Sequence, residues 1–553
     1  MKNDPPAKPV SHVQLDRRSL LRASILGSAI AATPLSAQVV GQRGFTHGVA
    51  SGEPRANSVL LWTRYLADRD TQLEVEVSET LDFFSHTRGQ TVTASPANDC
   101  CAKAVVTDLK ADSWYYFRFV APDGTQSPVG RTRTLPEGPV AEWKMAVFSC
   151  SNLGFGWFNA YAHAAESNAF DCVLHLGDYI YEYQPGNYPT DDQTVTGRLI
   201  DPARETVALT DYRLRYAAYR SDPDLQRLHQ MYPMISGWDD HESTNDSWKG
   251  GAQNHQPESE GSWDVRKAAA SKAYREWMPV SDDPWTSYEI GDLATIYRVE
   301  TRLTGRDEQP DMAAALRAGD AAQIQAALTA FKDGVWRDPA RQMMGEAQER
   351  WLFDDLKRSR GSGTTWQVLA QQTIMMSLAL PKDVADGLTD AQPEYVRQRI
   401  RAAAAASGVG LPFNMDAWDG YPAARDRLLR AALNADANMI SLAGDSHNAW
   451  AGSLDIEGEL AAVEFAGHSV TSPGVENSLP WIAPADFERK AVERNRQLMW
   501  ADTSRRGYMA VTLTPDVAVS EFRFLNTVRQ RSTRLAGTHR ISAPVGQRSL
   551  LPA

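Results

Sequence analysis

Short apolar runs, each followed at once by polar or ionisable residues, recur along the second part of the chain. Residues 145–148, 173–176 and 439–443 are such runs, and a shorter one precedes Trp238. Strands buried inside an α/β fold are near-continuous apolar runs, and the polar groups of such folds lie at the carboxyl ends of the strands. The pattern therefore predicts buried strands that present the residues following them at one rim.

Between these runs, apolar positions recur with the period of a helix. The alternation of strand-like and helical segments predicts an α/β (α+β) fold, with a core of sheets flanked by helices. A further core strand is expected at residues 366–370. The predicted helices are residues 158–167, 268–276, 312–331, 395–406 and 423–435.

The preceding part of the chain has a different pattern. Residues 44–136 contain short strand-like runs separated by turn signals, with clean alternation of apolar and polar positions at 73–77. This pattern predicts an N-terminal β-sandwich of the fibronectin type. After a linker at 135–139, residues 141–525 are expected to form the larger domain. Residues 526–553, rich in Arg and Ser, are expected to form a C-terminal tail that is either a lid or disordered.

Residues 1–37 have the organisation of an export signal. The pair Arg17-Arg18 is followed by leucines, by an apolar stretch at 23–32 and by small residues at 35–37. Paired arginines in this context predict a twin-arginine signal. The apolar stretch is shorter than the roughly 20 residues that a membrane span needs, which favours a signal over a short membrane anchor. We therefore expect a periplasmic or secreted protein that uses the twin-arginine export machinery and has no transmembrane anchor.

Composition narrows the classes of function. A chain of 553 residues is too long for one ordinary core, which predicts two domains. The formal net charge of −12 argues against stable nucleic-acid binding. An anionic chain can still bind anionic substrates where metal ions concentrate positive charge. Four cysteines are few for an exported chain of this length, so a disulfide scaffold is excluded.

The residues that follow three of the apolar runs are of types that bind metal ions. They are Cys150, then Asp178 and Tyr181 after Gly177, and Asp445 and His447 after Gly444. Taken singly, each has a structural alternative: an inert buried thiol, an aspartate that caps a helix or a structural histidine. Taken together they predict a single ion that binds Cys150, Asp178, Tyr181 and His447.

A fourth apolar run ends at the ionisable segment 239–242. Four consecutive ionisable residues are costly to bury unless ions or solvent neutralise them, so the alternatives are a metal site and a solvated acidic loop. A second ion could bind Asp178 as a bridge, together with Asp240 and Asp445. The mixed thiolate, phenolate and imidazole set suits iron as Fe³⁺, whereas the oxygen-only set suits calcium (Ca²⁺), magnesium (Mg²⁺) or manganese (Mn²⁺).

Two ions that share a carboxylate favour one kind of chemistry. They can activate water as hydroxide and hold a phosphoryl group for in-line attack. His241 would then be free to donate a proton to the leaving oxygen or to bind phosphate. The residues therefore predict a metal-dependent hydrolase.

Several segments resemble the PhoD family of alkaline phosphatases, within the metallophosphoesterase superfamily. These segments are residues 45–54, 59–64, 148–152, 177–182, 238–242, 418–421 and 444–447. The resemblance implies a metallophosphoesterase-type core, phosphomonoesterase or phosphodiesterase activity, an iron ion with calcium, and twin-arginine export.

The same resemblance implies roles for individual residues. By motif, the residues that match the iron ligands are Cys150, Asp178, Tyr181 and His447. Those that match the calcium side are Asp178, Asp445 and one of Asp239 and Asp240. Asp240 is favoured because it directly precedes His241, as the ligand does in the wider superfamily.

Asn152 and Arg302 are further candidates for contact with phosphate, although a structural ion pair is an equal alternative for Arg302. The expected function is hydrolysis of phosphomonoesters and phosphodiesters. A phospholipase D-like enzyme and a nucleotide phosphodiesterase are near alternatives, because substrate choice would lie in loops such as 184–202. A surface adhesive protein, with the β-sandwich as its working part, is a distant alternative.

Overall fold

The structure is a computed structural model that describes residues 43–553, except residues 391, 393 and 413 and the side chains of residues 86–89 and 395. The export signal predicted at residues 1–37 lies outside the described residues. Among the helices of the described part, none is both long and apolar enough to cross a bilayer.

Two large sheets form the centre of the fold. The first has ten strands, in the order β23 (Leu551–Pro552), β22 (Leu535–Pro544), β21 (Val517–Leu525), β20 (Gly507–Leu513), β8 (Trp143–Phe148), β9 (Cys172–His175), β10 (Pro233–Ser236), β1 (Gly44–Gly52), β2 (Val59–Leu66) and β5 (Cys101–Val106). The second has seven, in the order β13 (Thr286–Ile290), β14 (Ala294–Arg298), β15 (Trp366–Ala370), β16 (Met439–Ala443), β18 (Glu459–Ala466), β17 (Ala449–Ile456) and β19 (Leu498–Asp502).

Two smaller sheets accompany them. One has four strands, in the order β4 (His86–Ala94), β3 (Thr71–Ser78), β6 (Trp114–Val120) and β7 (Gly130–Arg133). The other pairs β11 (Ser247–Trp248) with β12 (Gly251–Ala252).

Helices pack against the outer faces of the two large sheets, and a few of them pack on other helices instead. In chain order they are α1 (Asn159–Ser167), α2 (Leu209–Arg220), α3 (Pro223–Met231), α4 (Pro257–Glu260), α5 (Trp263–Trp277), α6 (Ala313–Leu316), α7 (Ala321–Phe331), α8 (Glu346–Gly361), α9 (Glu394–Gly408), α10 (Pro422–Asn434), α11 (Val475–Ser478) and α12 (Pro484–Arg494). The inner faces of the sheets pack on each other through apolar residues such as Leu174, Val368 and Phe465. The predicted core of sheets flanked by helices is therefore confirmed.

The N-terminal β-rich region is a sandwich that shares a sheet with the rest of the fold. Its apolar core lies between β2 and β5 on one side and β3 and β6 on the other, with Leu61, Val75 and Phe117 in contact. However, β1 pairs in parallel with β10, so one layer of the sandwich continues the ten-stranded sheet. The sequence predicted the sandwich but not this continuity.

The predicted helix at 312–331 is two helices. Gly319, in the turn between α6 and α7, has a positive φ of 139°, a conformation that favours glycine. Asp320 then caps α7 by accepting hydrogen bonds from the backbone N–H groups of Ala322 and Gln323. The periodic pattern therefore spans two helices that are separated by a short turn.

Residues 526–553 contribute strands rather than an unstructured tail. β22 pairs antiparallel with β21, and β23 pairs with β22 at the edge of the ten-stranded sheet. Before β22, Arg529 donates a hydrogen bond from Nη1 to the carbonyl of Phe155 at 3.1 Å. No residue of 526–553 is among those that line the cleft described below, where a lid would lie.

Candidate metal centre

The candidate ligands follow the carboxyl ends of parallel strands in both large sheets. Cys150 follows β8, Asp178 follows β9 and the segment 239–242 follows β10. Asp445 and His447 follow β16 in the seven-stranded sheet. Because the two sheets pack face to face, their strand ends bring these side chains to one site.

Four of these residues have a left-handed backbone conformation. They are Cys150 (φ 60°), Asp178 (φ 55°), Asp445 (φ 61°) and His447 (φ 62°). Non-glycine residues rarely adopt this conformation, which costs on the order of 1–3 kcal/mol and persists only where the surrounding structure imposes it. The sharp turn after each strand end therefore directs the donor atoms into the site.

Glycine allows two of the turns to pack closely. A Cβ atom at Gly177 would lie 2.4 Å from the Cβ of Asp239, and one at Gly444 would lie 2.5 Å from the Cβ of Ser149. Both distances are far shorter than real Cβ contacts, so a side chain at either position would push two ligand-bearing loops apart.

The first ligand cluster consists of Cys150, Asp178, Tyr181 and His447. Ligand atoms of Cys150, Asp178 and His447 lie within 4.8 Å of one another. The Tyr181 hydroxyl donates to Asp178 Oδ2 at 2.9 Å and lies 3.2 Å from His447 Nε2. The structure thus brings together all four residues of the predicted set.

The second ligand cluster consists of Asp239, Asp240 and Asp445, whose carboxylate oxygens lie within 4.8 Å of one another. Asp178, Asp240 and His241 form a further group within the same distance, so Asp178 and Asp240 link the two clusters. All four residues of the segment 239–242 are buried, which excludes the alternative of a solvated acidic loop.

The linked clusters fit cations. Asp178 Oδ1 and Asp240 Oδ1 are buried and make no hydrogen bond to any described residue. Burial, with repulsion from neighbouring carboxylates, raises the pKa of Asp178 and of Asp445 well above the usual range. Burial and the Asp178 carboxylate also raise the pKa of the Cys150 thiol and that of the Tyr181 phenol. A bound cation would reverse these shifts because it favours the ionised form of each donor.

His447 is suited to ligation as a neutral imidazole. Burial lowers its pKa to about 3. Its Nδ1 lies 2.9 Å from the carbonyl oxygen of Pro473, which leaves Nε2 facing the first ligand cluster. Hydrogen bonding of the outer ring nitrogen to a carbonyl is the usual way in which proteins orient a metal-binding histidine.

Arg302 is an ion-pair residue beside the second ligand cluster. It is fully buried, donates from Nε to Asp239 Oδ1 at 2.5 Å and from Nη1 to Asp416 Oδ2 at 2.7 Å. Its Nη2 lies 3.6 Å from Asp445 Oδ1. The structural ion pair, one of the two alternatives from the sequence, is therefore present, and Arg302 does not line the cleft.

The pKa values of the two adjacent aspartates shift in opposite directions, although Arg302 lowers both. Burial raises the pKa of Asp239 to about 6, although Arg302 acts in the opposite direction. For Asp240, burial is outweighed by the positive charges of His241 and Arg302, which lower its pKa. Asp240 is therefore the more strongly ionised of the pair and keeps an oxygen without a hydrogen bond.

His241 lines the cleft beside both clusters. Its Nδ1 lies 2.7 Å from Glu182 Oε2, and its Nε2 lies 4.0 Å from Asp240 Oδ1. Burial opposes a positive charge on the ring, but Asp240, Glu182 and Asp178 outweigh burial and raise the pKa of His241. The ring is thus held with one nitrogen towards the ligand atoms.

Asn152 has a structural role in this arrangement. Its Oδ1 accepts a hydrogen bond from the backbone N–H of Gly154 and caps the short turn Leu153–Phe155. Its Nδ2 donates to the carbonyl of Tyr188 at 3.3 Å. Asn152 is not among the residues that line the cleft, and its contact with phosphate stays a prediction.

Glu242 joins the two ligand-bearing loops of the ten-stranded sheet. Its Oε1 accepts from the backbone N–H of Tyr179 at 2.6 Å. Its Oε2 accepts from the backbone N–H groups of Asp178 and Asp239, at 3.2 and 2.8 Å. One buried carboxylate therefore fixes the turn after β9 relative to the turn after β10.

Replacing Glu242 by glutamine is expected to lower kcat/KM or metal affinity by about 10- to 100-fold, the usual effect of removing a residue that orients a ligand. The amide nitrogen cannot accept a hydrogen bond, so at least one ligand loop loses its partner. Metal titration and phosphatase kinetics check this result. Glu289→Gln, at an exposed position, serves as the control. Equal activity and metal affinity in both variants would contradict the role of Glu242.

Three buried acids that position the ligands were not predicted from the sequence. Glu182 and Glu242 lie in the ligand-bearing segments, and an acidic residue a few positions after a predicted buried strand was the sequence signal that could have identified them. Asp416 binds both Arg302 and Arg306. It has no local signal, because Arg302 is 114 positions away along the chain.

The clusters open into a cleft of about 760 Å³. Asp178, Asp240, His241, Asp445 and His447 form its polar end. The fold and this site together define a phosphoric ester hydrolase of the metallophosphoesterase type.

Comparison with known proteins identifies the family. The model of the family described as "PhoD-like phosphatase" matches residues 145–522, and that of "PhoD-like phosphatase, N-terminal domain" matches residues 29–136. The chain belongs to the PhoD-like phosphatase family.

Individual relatives agree with this assignment. Alkaline phosphatase D of Bacillus subtilis (strain 168) is 32% identical over 516 residues, which cover 88% of this chain and 78% of the relative. A solved structure described as "Structure of PhoD" superposes with a TM-score of 0.74 at 28% identity, covering 93% of this chain and 92% of that chain.

Proposed function

We propose that this phosphatase is exported and hydrolyses both phosphomonoesters and phosphodiesters, with iron and calcium at the two ligand clusters. The observation that carries the proposal is the pair of buried oxygens, Asp178 Oδ1 and Asp240 Oδ1, that make no hydrogen bond where the clusters meet. Export would use the twin-arginine signal at residues 1–37 and would place the enzyme in the periplasm or outside the cell.

The chemistry of the donors supports a different metal for each cluster. Cys150, Asp178, Tyr181 and His447 would bind Fe³⁺, because thiolate, phenolate and imidazole together suit iron. Asp178, Asp240 and Asp445 would bind Ca²⁺, with Mn²⁺ or Mg²⁺ as alternatives, because hard divalent ions prefer oxygen ligands. Asp240 is favoured over Asp239 because Asp239 Oδ1 already accepts a hydrogen bond from Arg302.

When bound, the two cations would supply positive charge to the phosphoryl group and a more acidic water molecule. The protein's own residues contribute by positioning the groups that react. Glu182 orients His241, so that its Nε2 faces the polar end of the cleft, where it can donate to a phosphate oxygen or to the leaving oxygen. Arg302 and Glu242 hold the aspartates and the loops in the geometry that the reaction needs.

The test is elemental analysis of protein recovered after export, with assays on a simple monoester and a simple diester. We expect iron and calcium in the wild type and hydrolysis of both esters. In Cys150→Ser we expect iron retention to fall by at least about tenfold and more than calcium retention, because a thiolate ligand is lost.

Cys100→Ser is the matched control, since Cys100 is a buried cysteine of the N-terminal β-rich region. It should retain both metals. Unchanged iron content in Cys150→Ser would remove Cys150 from the ligand set, and protein found only in the cytoplasm would contradict export. Failure to hydrolyse the diester would limit the enzyme to monoesters.

A further inference from the structure

The cleft has a second, apolar end beyond the ligand clusters. Arg399 also lines the cleft here, and the apolar part of the wall is formed by Ile374, Met376, Leu378, Leu380, Val396 and Ile400. These residues come from the segment that follows β15 and from α9, neither of which contributes a candidate ligand. We call them the apolar wall.

The apolar wall is held in place by the surrounding fold. Its backbone is fixed by two buried carboxylates: Glu464 accepts from the N–H of Met376 at 2.8 Å, and Asp419 accepts from the N–H of Leu378 at 3.0 Å. Four of its side chains are packed into the apolar core between the seven-stranded sheet and its helices, namely Ile374, Met376, Leu380 and Ile400. A surface held in this way is formed before any ligand binds.

The cleft is larger and more apolar than the binding of phosphate alone requires. A cleft of about 760 Å³ has the size of sites that hold whole small molecules, which is larger than a phosphate group alone needs. Such sites are mostly apolar with a few polar groups that fix orientation. The apolar wall and the ligand clusters line one continuous cleft, so a substrate with its phosphoryl group at the clusters would direct its alcohol part along the wall.

We propose that the apolar wall binds the alcohol part of the substrate, and that the preferred substrates are phosphate esters of alcohols that carry an aryl or alkyl group of several carbons. This proposal rests on the proposed function, because it takes the phosphoryl group to lie at the ligand clusters. It identifies Leu378 and Val396, the two partly buried residues of the wall, as determinants of specificity.

The experiment compares phenyl phosphate with para-butylphenyl phosphate. The alkyl group scarcely changes the acidity of the phenol, so a difference in kcat/KM reports contact with the wall. Burial of one methylene favours binding by about threefold to fourfold, so we expect the wild type to prefer the butyl ester by at least about tenfold. In Val396→Asn and in Leu378→Asn we expect this ratio to fall to within about twofold of unity.

Val265→Asn, at an exposed position of α5 outside the cleft, is the control and should keep the wild-type ratio. A ratio near unity in the wild type, or an unchanged ratio in both wall variants, would overturn the subsite while leaving the phosphatase activity intact. Hydrolysis of neither ester would instead overturn the proposed function and this subsite with it.

Discussion

Asp178→Asn is expected to reduce kcat/KM for phosphate monoesters by at least about 10³-fold, which corresponds to roughly 4 kcal/mol of transition-state stabilisation. Asp178 is the residue common to the first ligand cluster and to the group with Asp240 and His241. Asparagine is nearly isosteric and can still accept the hydrogen bond from the Tyr181 hydroxyl. The substitution therefore removes a negative charge from the site with little change in packing.

The fold of this variant should remain intact. Burial and neighbouring acids disfavour the ionised form of Asp178, so neutralising the residue should not lower the thermal unfolding temperature of the metal-free protein. Asp264→Asn, at an exposed carboxylate, controls for the change in net charge. Hydrolysis at the wild-type rate by Asp178→Asn would show that the clusters are not the catalytic centre. Surface adhesion, the distant alternative function, would survive this substitution.

The elements that could be predicted are those whose signal is local in sequence. Residues 439–443 form a mostly apolar run with Ser441 as its one polar residue, and the strand β16 has those bounds. Asp445 and His447 follow directly, so their position at the strand end could be predicted without knowledge of distant contacts. The same holds for Cys150 and Asp178, whose strands are also short and mostly apolar.

What could not be predicted depends on contacts between distant parts of the chain. β1 joins the ten-stranded sheet by pairing with β10, although nothing in either strand identifies the other. β22 alternates half-buried and exposed residues over its first part, and its Arg, Thr and Ser content resembles a polar tail more than a strand. Asp416 likewise becomes part of the site only through Arg302 and Arg306.

The second large effect is expected from Arg302→Met. Methionine fills much of the same volume but leaves Asp239 without the donor that it has in the wild type, and Asp416 with Arg306 as its remaining arginine partner. Removing one member of a buried ion pair typically lowers the free energy of unfolding by about 3–5 kcal/mol. We expect this loss in the metal-free protein, measured by urea denaturation after treatment with a chelator.

The loss should be smaller in the metal-loaded protein, because a cation at the second ligand cluster would compensate the charges of Asp239 and Asp445 that Arg302 faces. Arg430→Met is the control: its ion pair with Glu457 is exposed, and such pairs contribute about 0–1 kcal/mol. Equal destabilisation of the metal-free and metal-loaded forms of Arg302→Met would mean that no cation lies near these aspartates. A smaller loss with metal would instead locate the cation at the second cluster, independently of any measurement of activity.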